Sequence, residues 1–168
     1  CSENVMADYQ VPLKDMSFLL YDVFKADKLW QSLPTLAERV DKDTAEAILQ
    51  GCAKIAEQEI APLSRNGDET GVTFDAGNVT TAPGYKAAFK TYAEGGWTSL
   101  GGDPDFGGMG MPKVITAFHE EMLCSADISF SLYPGLTAGA GLSLAKHGSE
   151  ELCTSYVCWR LGSKYVFN

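Results

Sequence analysis

Gly95-Gly96-Trp97, then Asp103-Pro104-Asp105-Phe106-Gly107-Gly108-Met109-Gly110, then Glu120-Glu121-Met122-Leu123, and then Tyr133-Pro134-Gly135-Leu136 punctuate the central stretch of this chain. The paired glycines at 95 and 96 stop a helix, because glycine readily takes the left-handed conformation at a helix end. Gly101 to Met111 is a glycine-rich loop, and its Gly107-Gly108-Met109-Gly110 run predicts a tight turn with positive φ. A dinucleotide phosphate loop would need a preceding strand and two further fixed positions, and neither is present. Pro112 opens a helix with Ile115, Phe118 and Met122 facing inward. Asp127 is placed to cap the next helix, with Pro134 early in it and His147-Gly148 at its end.

Outward from this stretch the pattern stays helical. Pro83 suits the first helical position, and Tyr85, Ala88, Phe89 and Tyr92 form the apolar face that follows. Ser64 to Ala82 reads as a loop, with Gly67, Gly71, Gly77 and Asn78 as turn formers. The clearest helix begins at Asp43, which is expected to cap it with Glu46 three residues on. Ala45, Ile48, Leu49, Cys52, Ile55, Ala56 and Ile60 continue one apolar stripe, and Pro62 is expected to end it. Near the start, Met16, Leu19, Leu20 and Val23 fall at i, i+3, i+4, i+7. Near the end, Ser149 is an N-cap for a helix starting at Glu150. The expected fold class is all-α, about six helices packed as a bundle-like domain around one core.

The 168 residues suit one domain with a sizeable core. A formal net charge of -9, from 22 acidic and 13 basic residues with no basic run, argues against nucleic acid and anionic membrane surfaces. No apolar run reaches the length of a membrane span, and no secretory leader pattern is present. The five cysteines are scattered, without zinc spacing, so no metal site is expected. Cys52 and Cys124 read as small buried hydrophobes, and the whole favours a reducing, cytoplasmic setting.

No catalytic constellation is visible. Glu120 and Glu121 are adjacent on a helix and point about 100° apart, so they do not flank one substrate atom. His119 and His147 have no nucleophile or carboxylate partner at a readable spacing. The helix from Ile128 to His147 is different. Gly135 and Gly139 lie four apart, with Leu132 and Leu136 near the same face. Glycine costs a helix about 1 kcal/mol relative to alanine, so something must approach closely, either another helix or a ligand.

These pieces, in this order and spacing from about Tyr9 to Leu152, resemble the N-terminal helical domain of flavin-dependent acyl-CoA dehydrogenases. Tyr9-Gln10-Val11-Pro12-Leu13-Lys14-Asp15-Met16, Ser125-Ala126-Asp127 and Tyr133-Pro134-Gly135-Leu136-Thr137 are most similar to the longer branch with an extra N-terminal segment, the 3-methylmercaptopropionyl-CoA dehydrogenase type. The resemblance implies three segments: residues 1–42 as the N-terminal extension with a short helix, 43–152 as the helical domain, and 153–168 as an atypical tail.

The resemblance also implies FAD as cofactor, an acyl-CoA substrate gaining an α,β double bond, electron-transfer flavoprotein as acceptor, and a homo-oligomer at full length. It places Leu132, Tyr133, Gly135, Leu136 and Gly139 along the acyl chain. The catalytic carboxylate and most flavin contacts belong to domains beyond this chain, which alone is expected to be inactive. The family pattern stops near Leu152, where a frameshift or truncation is expected. The reading that competes with it is a self-contained helical interaction module without catalysis.

Overall fold

The computed structural model describes residues 9–157. Its core is built from α4 (Lys42–Ile55), α6 (Tyr85–Glu94), α7 (Lys113–Ala126) and the first turns of α8 (Ile128–His147). Shorter helices, α1 (Leu13–Ser17), α2 (Ala26–Ser32) and α3 (Pro34–Ala37), close one end; Met16 of α1, Leu20 of the turn that follows it and Trp30 of α2 join the same core. α5 (Ser64–Thr70) and a small hairpin link α4 to α6, and α9 (Glu150–Leu152) follows α8. The expected all-α class holds.

Local capping explains where α4 begins. Asp41, not Asp43, is the cap: its backbone is extended and its carboxylate accepts from the Thr44 N–H at 2.7 Å. Asp43 instead lies in the first turn, where a negative charge suits the helix dipole. Glu46 pairs with Lys42 at 3.7 Å, one turn apart, rather than reaching back to a cap. Ala45, Leu49, Cys52 and Ile55 are buried along α4, as the apolar stripe requires; Ile48 is half-buried, and Ala53, outside the expected stripe, is buried as well.

Pro62 does not end the helical path. Regular α geometry stops earlier, at Ile55, and passes into a π-turn (Ala56–Ile60) that fully buries Ala56 and Ile60. A 3-10 turn (Ala61–Leu63) takes Pro62 in its opening positions, where a missing N–H interrupts no helical bond. The chain then continues directly into α5.

The loop expected from Ser64 to Ala82 therefore contains α5 and a hairpin. Strands β1 (Thr73–Asp75) and β2 (Asn78–Thr80) pair antiparallel, Phe74 opposite Val79. Ala76 and Gly77 between them both have positive φ, 46° and 91°, as a two-residue hairpin turn demands. α6 starts at Tyr85 rather than at Pro83, because Gly84 takes the left-handed conformation just before it. Tyr85, Ala88, Phe89 and Tyr92 are buried, as their spacing predicts.

Two apolar expectations change. Residues Phe18–Val23 form a π-turn, whose wider pitch breaks the 3.6-residue repeat. Leu20 is buried while Leu19 and Val23 face outward. Cys52 is buried in the core, but Cys124 sits on the outer side of α7, its thiol 3.5 Å from the Ser131 hydroxyl. No helix among the described residues is long and apolar enough to cross a membrane.

Candidate functional site: the α8 helix and its anchorage

α8 is packed at its start and mostly exposed beyond it, with the buried Cys153 thiol on its Leu144 carbonyl at 3.2 Å near the far end. Asp127 caps it: Oδ1 accepts from the Phe130 N–H at 3.0 Å, and the Asp127 carbonyl accepts from Ser131. Phe130 is fully buried against Tyr85, Phe89 and Tyr92, with ring centroids 5.7 to 6.4 Å apart. From Pro134 to His147 no α8 side chain is buried. Pro134 has no N–H to offer the Phe130 carbonyl, so the backbone ladder is interrupted where the packed part ends. Lys146 lies in the last turn, where positive charge suits the dipole.

The five residues expected along a ligand divide into two groups. Leu132, Gly135, Leu136 and Gly139 fall within roughly 100° of one another on the helix. Leu132 and Leu136 are 57% and 74% exposed, and a Cβ built on Gly135 or Gly139 would meet nothing within 4 Å. Among the described residues, then, no helix packs against these glycines. Tyr133 turns the other way. It is half-buried, edge-on to Tyr85, Phe89 and Phe130 at 6.2 to 6.4 Å. Four of the five share an open apolar face, and the fifth fastens that helix to the core.

Two buried polar pairs lie behind α8, joining positions too far apart in sequence for any spacing rule to find. The Tyr85 hydroxyl donates to Asp127 Oδ2, and both residues are 4% exposed. Burial first, and the neighbouring carboxylate second, raise the Tyr85 phenol, so it remains a hydroxyl donor. A Cβ on Gly67 would overlap that hydroxyl, which explains a glycine inside α5. The second pair is Tyr92 Oη and His119 Nε2 at 2.9 Å, the rings stacked 5.6 Å apart. His119 Nδ1 has no partner among the described residues. Burial lowers the imidazole pKa to about 4, so the ring is neutral at pH 7.

Glu120 and Glu121 are both exposed, and Glu120 lies 3.8 Å from Lys113. This is a surface arrangement, as their adjacency predicts. The glycine-rich loop also behaves as a turn. Gly107 and Gly110 have φ of 87° and 63°. The amides of Gly108, Met109 and Gly110 donate to the carbonyls of Asp103, Ser99 and Gly102 at 2.9 Å each. A Cβ on Gly108 would overlap the Gly102 backbone. With its amides spent on its own carbonyls, the loop does not fit a flavin or nucleotide phosphate. No group of metal ligands occurs among the described residues.

The comparisons with known proteins agree with this architecture. The family model described as acyl-CoA dehydrogenase, N-terminal domain, matches residues 42–158. The chain belongs to that family. A 3-methylmercaptopropionyl-CoA dehydrogenase from Ruegeria pomeroyi is 37% identical over 149 residues, covering 89% of this chain and 25% of that protein. A broad-specificity linear acyl-CoA dehydrogenase, FadE5, from Mycobacterium tuberculosis is 32% identical over 151 residues, covering 87% of this chain and 24% of its own. The chain thus spans about a quarter of the length of the curated acyl-CoA dehydrogenases it matches.

Proposed function

We propose that this chain serves as the N-terminal helical domain of a flavin-dependent acyl-CoA dehydrogenase, with α8 as one wall of the acyl-chain pocket. The observation that carries this reading is α8 itself. An apolar helix with two glycines on an open face is out of place at a free surface, and a docked acyl chain is what it suits. Leu132 and Leu136 would flank the chain, Gly135 and Gly139 would leave room for it, and Tyr133 would hold the wall in place. The substrate is an acyl-CoA thioester that gains an α,β double bond, and electron-transfer flavoprotein takes the electrons. The assembly is a homo-oligomer working in the cytoplasm.

FAD supplies the redox chemistry, and most of the groups that hold it belong to domains beyond this chain. The 168-residue chain alone is therefore expected to be inactive and to lose added FAD on gel filtration. Residues 1–42 form an N-terminal extension, 43–152 the helical domain, and 153–168 a tail, of which residues 153–158 still fall within the family match. Residues 158–168 of that tail lie outside the described residues.

A chimera tests the proposal. This chain replaces the matching quarter of the Ruegeria pomeroyi dehydrogenase, and acyl-CoA-dependent dye reduction is followed with chains of increasing length. The active chimera should lose turnover on longer chains when Gly139→Leu fills the wall. A chimera that retains FAD but is inactive, or one indifferent to Gly139→Leu, would overturn the assignment of α8.

A further inference from the structure

We infer that Tyr85 is a positioning residue for α8: its hydroxyl, seated against Gly67 and bonded to Asp127, sets the direction in which the bare half of the helix projects. The consequence for ligand binding rests on the acyl-pocket reading above, but the mechanical claim does not.

Other contacts also hold α8. Its only buried side chain is Phe130, and Tyr133 is half-buried beside it; near the far end the buried Cys153 thiol donates to the Leu144 carbonyl at 3.2 Å, which ties the last turns to the segment that follows α8. Ring packing of this kind resists separation but is weakly directional, because aromatic pairs tolerate a range of tilts. The contacts here span 41° to 80° between ring planes. A charge-assisted hydrogen bond is more restrictive. Asp127 uses one carboxylate oxygen on the Phe130 N–H, inside α8, and the other on the Tyr85 hydroxyl, on α6. One carboxylate therefore joins the first turn of α8 to the core with defined geometry at both ends. Gly67 completes the seat, since any side chain there would displace the hydroxyl.

Leverage makes this small contact matter. Gly139 lies twelve residues beyond Asp127, about 18 Å along the axis. A tilt of about 10° at the cap would carry Gly139 roughly 3 Å sideways.

The test uses the full chain and no ligand, so it stands whether or not the acyl-pocket reading does. Amide residual dipolar couplings are measured for wild type, Tyr85→Phe, Gly67→Ala and Tyr92→Phe. The last removes another buried hydroxyl, bonded to His119 on α7 rather than to α8. In Tyr85→Phe and Gly67→Ala the α8 couplings beyond Tyr133 should depart from the frame defined by α4 and α7. In Tyr92→Phe they should still fit it. The proposal is overturned if α8 keeps its direction in both Tyr85→Phe and Gly67→Ala, or if Tyr92→Phe moves it equally. If Tyr85→Phe does not fold, Gly67→Ala decides alone, because it displaces the hydroxyl from its seat without removing it.

Discussion

His119 shows how a side chain can look idle in sequence yet carry a measurable effect. Its imidazole is buried, neutral and bonded to Tyr92, with no carboxylate to stabilise a charged ring. Its folded pKa lies near 4, against 6.5 when the chain is unfolded. Between those values the unfolded state binds the extra proton. Stability is therefore full above pH 6.5, falls as the pH drops toward 4, and levels off below it. The difference corresponds to about 3 kcal/mol. Urea unfolding at pH 7 and pH 4 should show this loss in wild type and a smaller one in His119→Gln; equal losses would refute it. The start of α4 offers a second check. Asp41→Ala should cost about 1 kcal/mol because the Thr44 N–H loses its acceptor, while Asp43→Ala should cost only a few tenths. Thermal melts that rank the two the other way would return the cap to Asp43.

The glycines of α8 separate what the fold needs from what a ligand would need. Among the described residues nothing lies within 4 Å of a Cβ built on Gly135 or Gly139, so alanine at either position displaces no described atom. Each substitution should stabilise the isolated chain by about 0.5–1 kcal/mol, read as a raised denaturant midpoint. A loss instead would mean that something already packs there. The stripe from Ala45 to Ile60 was legible from periodicity and predicted burial for every member but Ile48, which is half-buried, even where the geometry changes from α to π. Ser64 to Ala82 was not legible. Its turn-forming residues mask α5, and three-residue strands are too short to show alternation. The candidate helix was readable from the ordered motifs. The inward turn of Tyr133 was not, because it depends on Tyr85 and Phe89, some forty positions earlier. The Tyr85–Asp127 bond is likewise long-range and leaves no local pattern.

At the scale of the whole molecule, the unusual property is apolar surface that the described residues leave uncovered. Ile128, Leu132, Leu136 and Leu142 along α8 are each more than half exposed. Burying four such side chains yields roughly 6–12 kcal/mol. Association costs about 4–15 kcal/mol, so the balance allows a weak, concentration-dependent complex between copies. The formal charge of -9 opposes close approach, and salt screens that repulsion. The sedimentation coefficient of the isolated chain should therefore rise with protein concentration, and rise further in high salt. Leu136→Glu should abolish that dependence, because association would strip water from a carboxylate. It should leave the melting temperature nearly unchanged, since the position is 74% exposed. A second apolar surface, at Phe18, Phe24 and Leu29, supplies the control. If Phe24→Glu disperses the chain and Leu136→Glu does not, copies meet through the N-terminal helices, and α8 is not the surface that drives self-association.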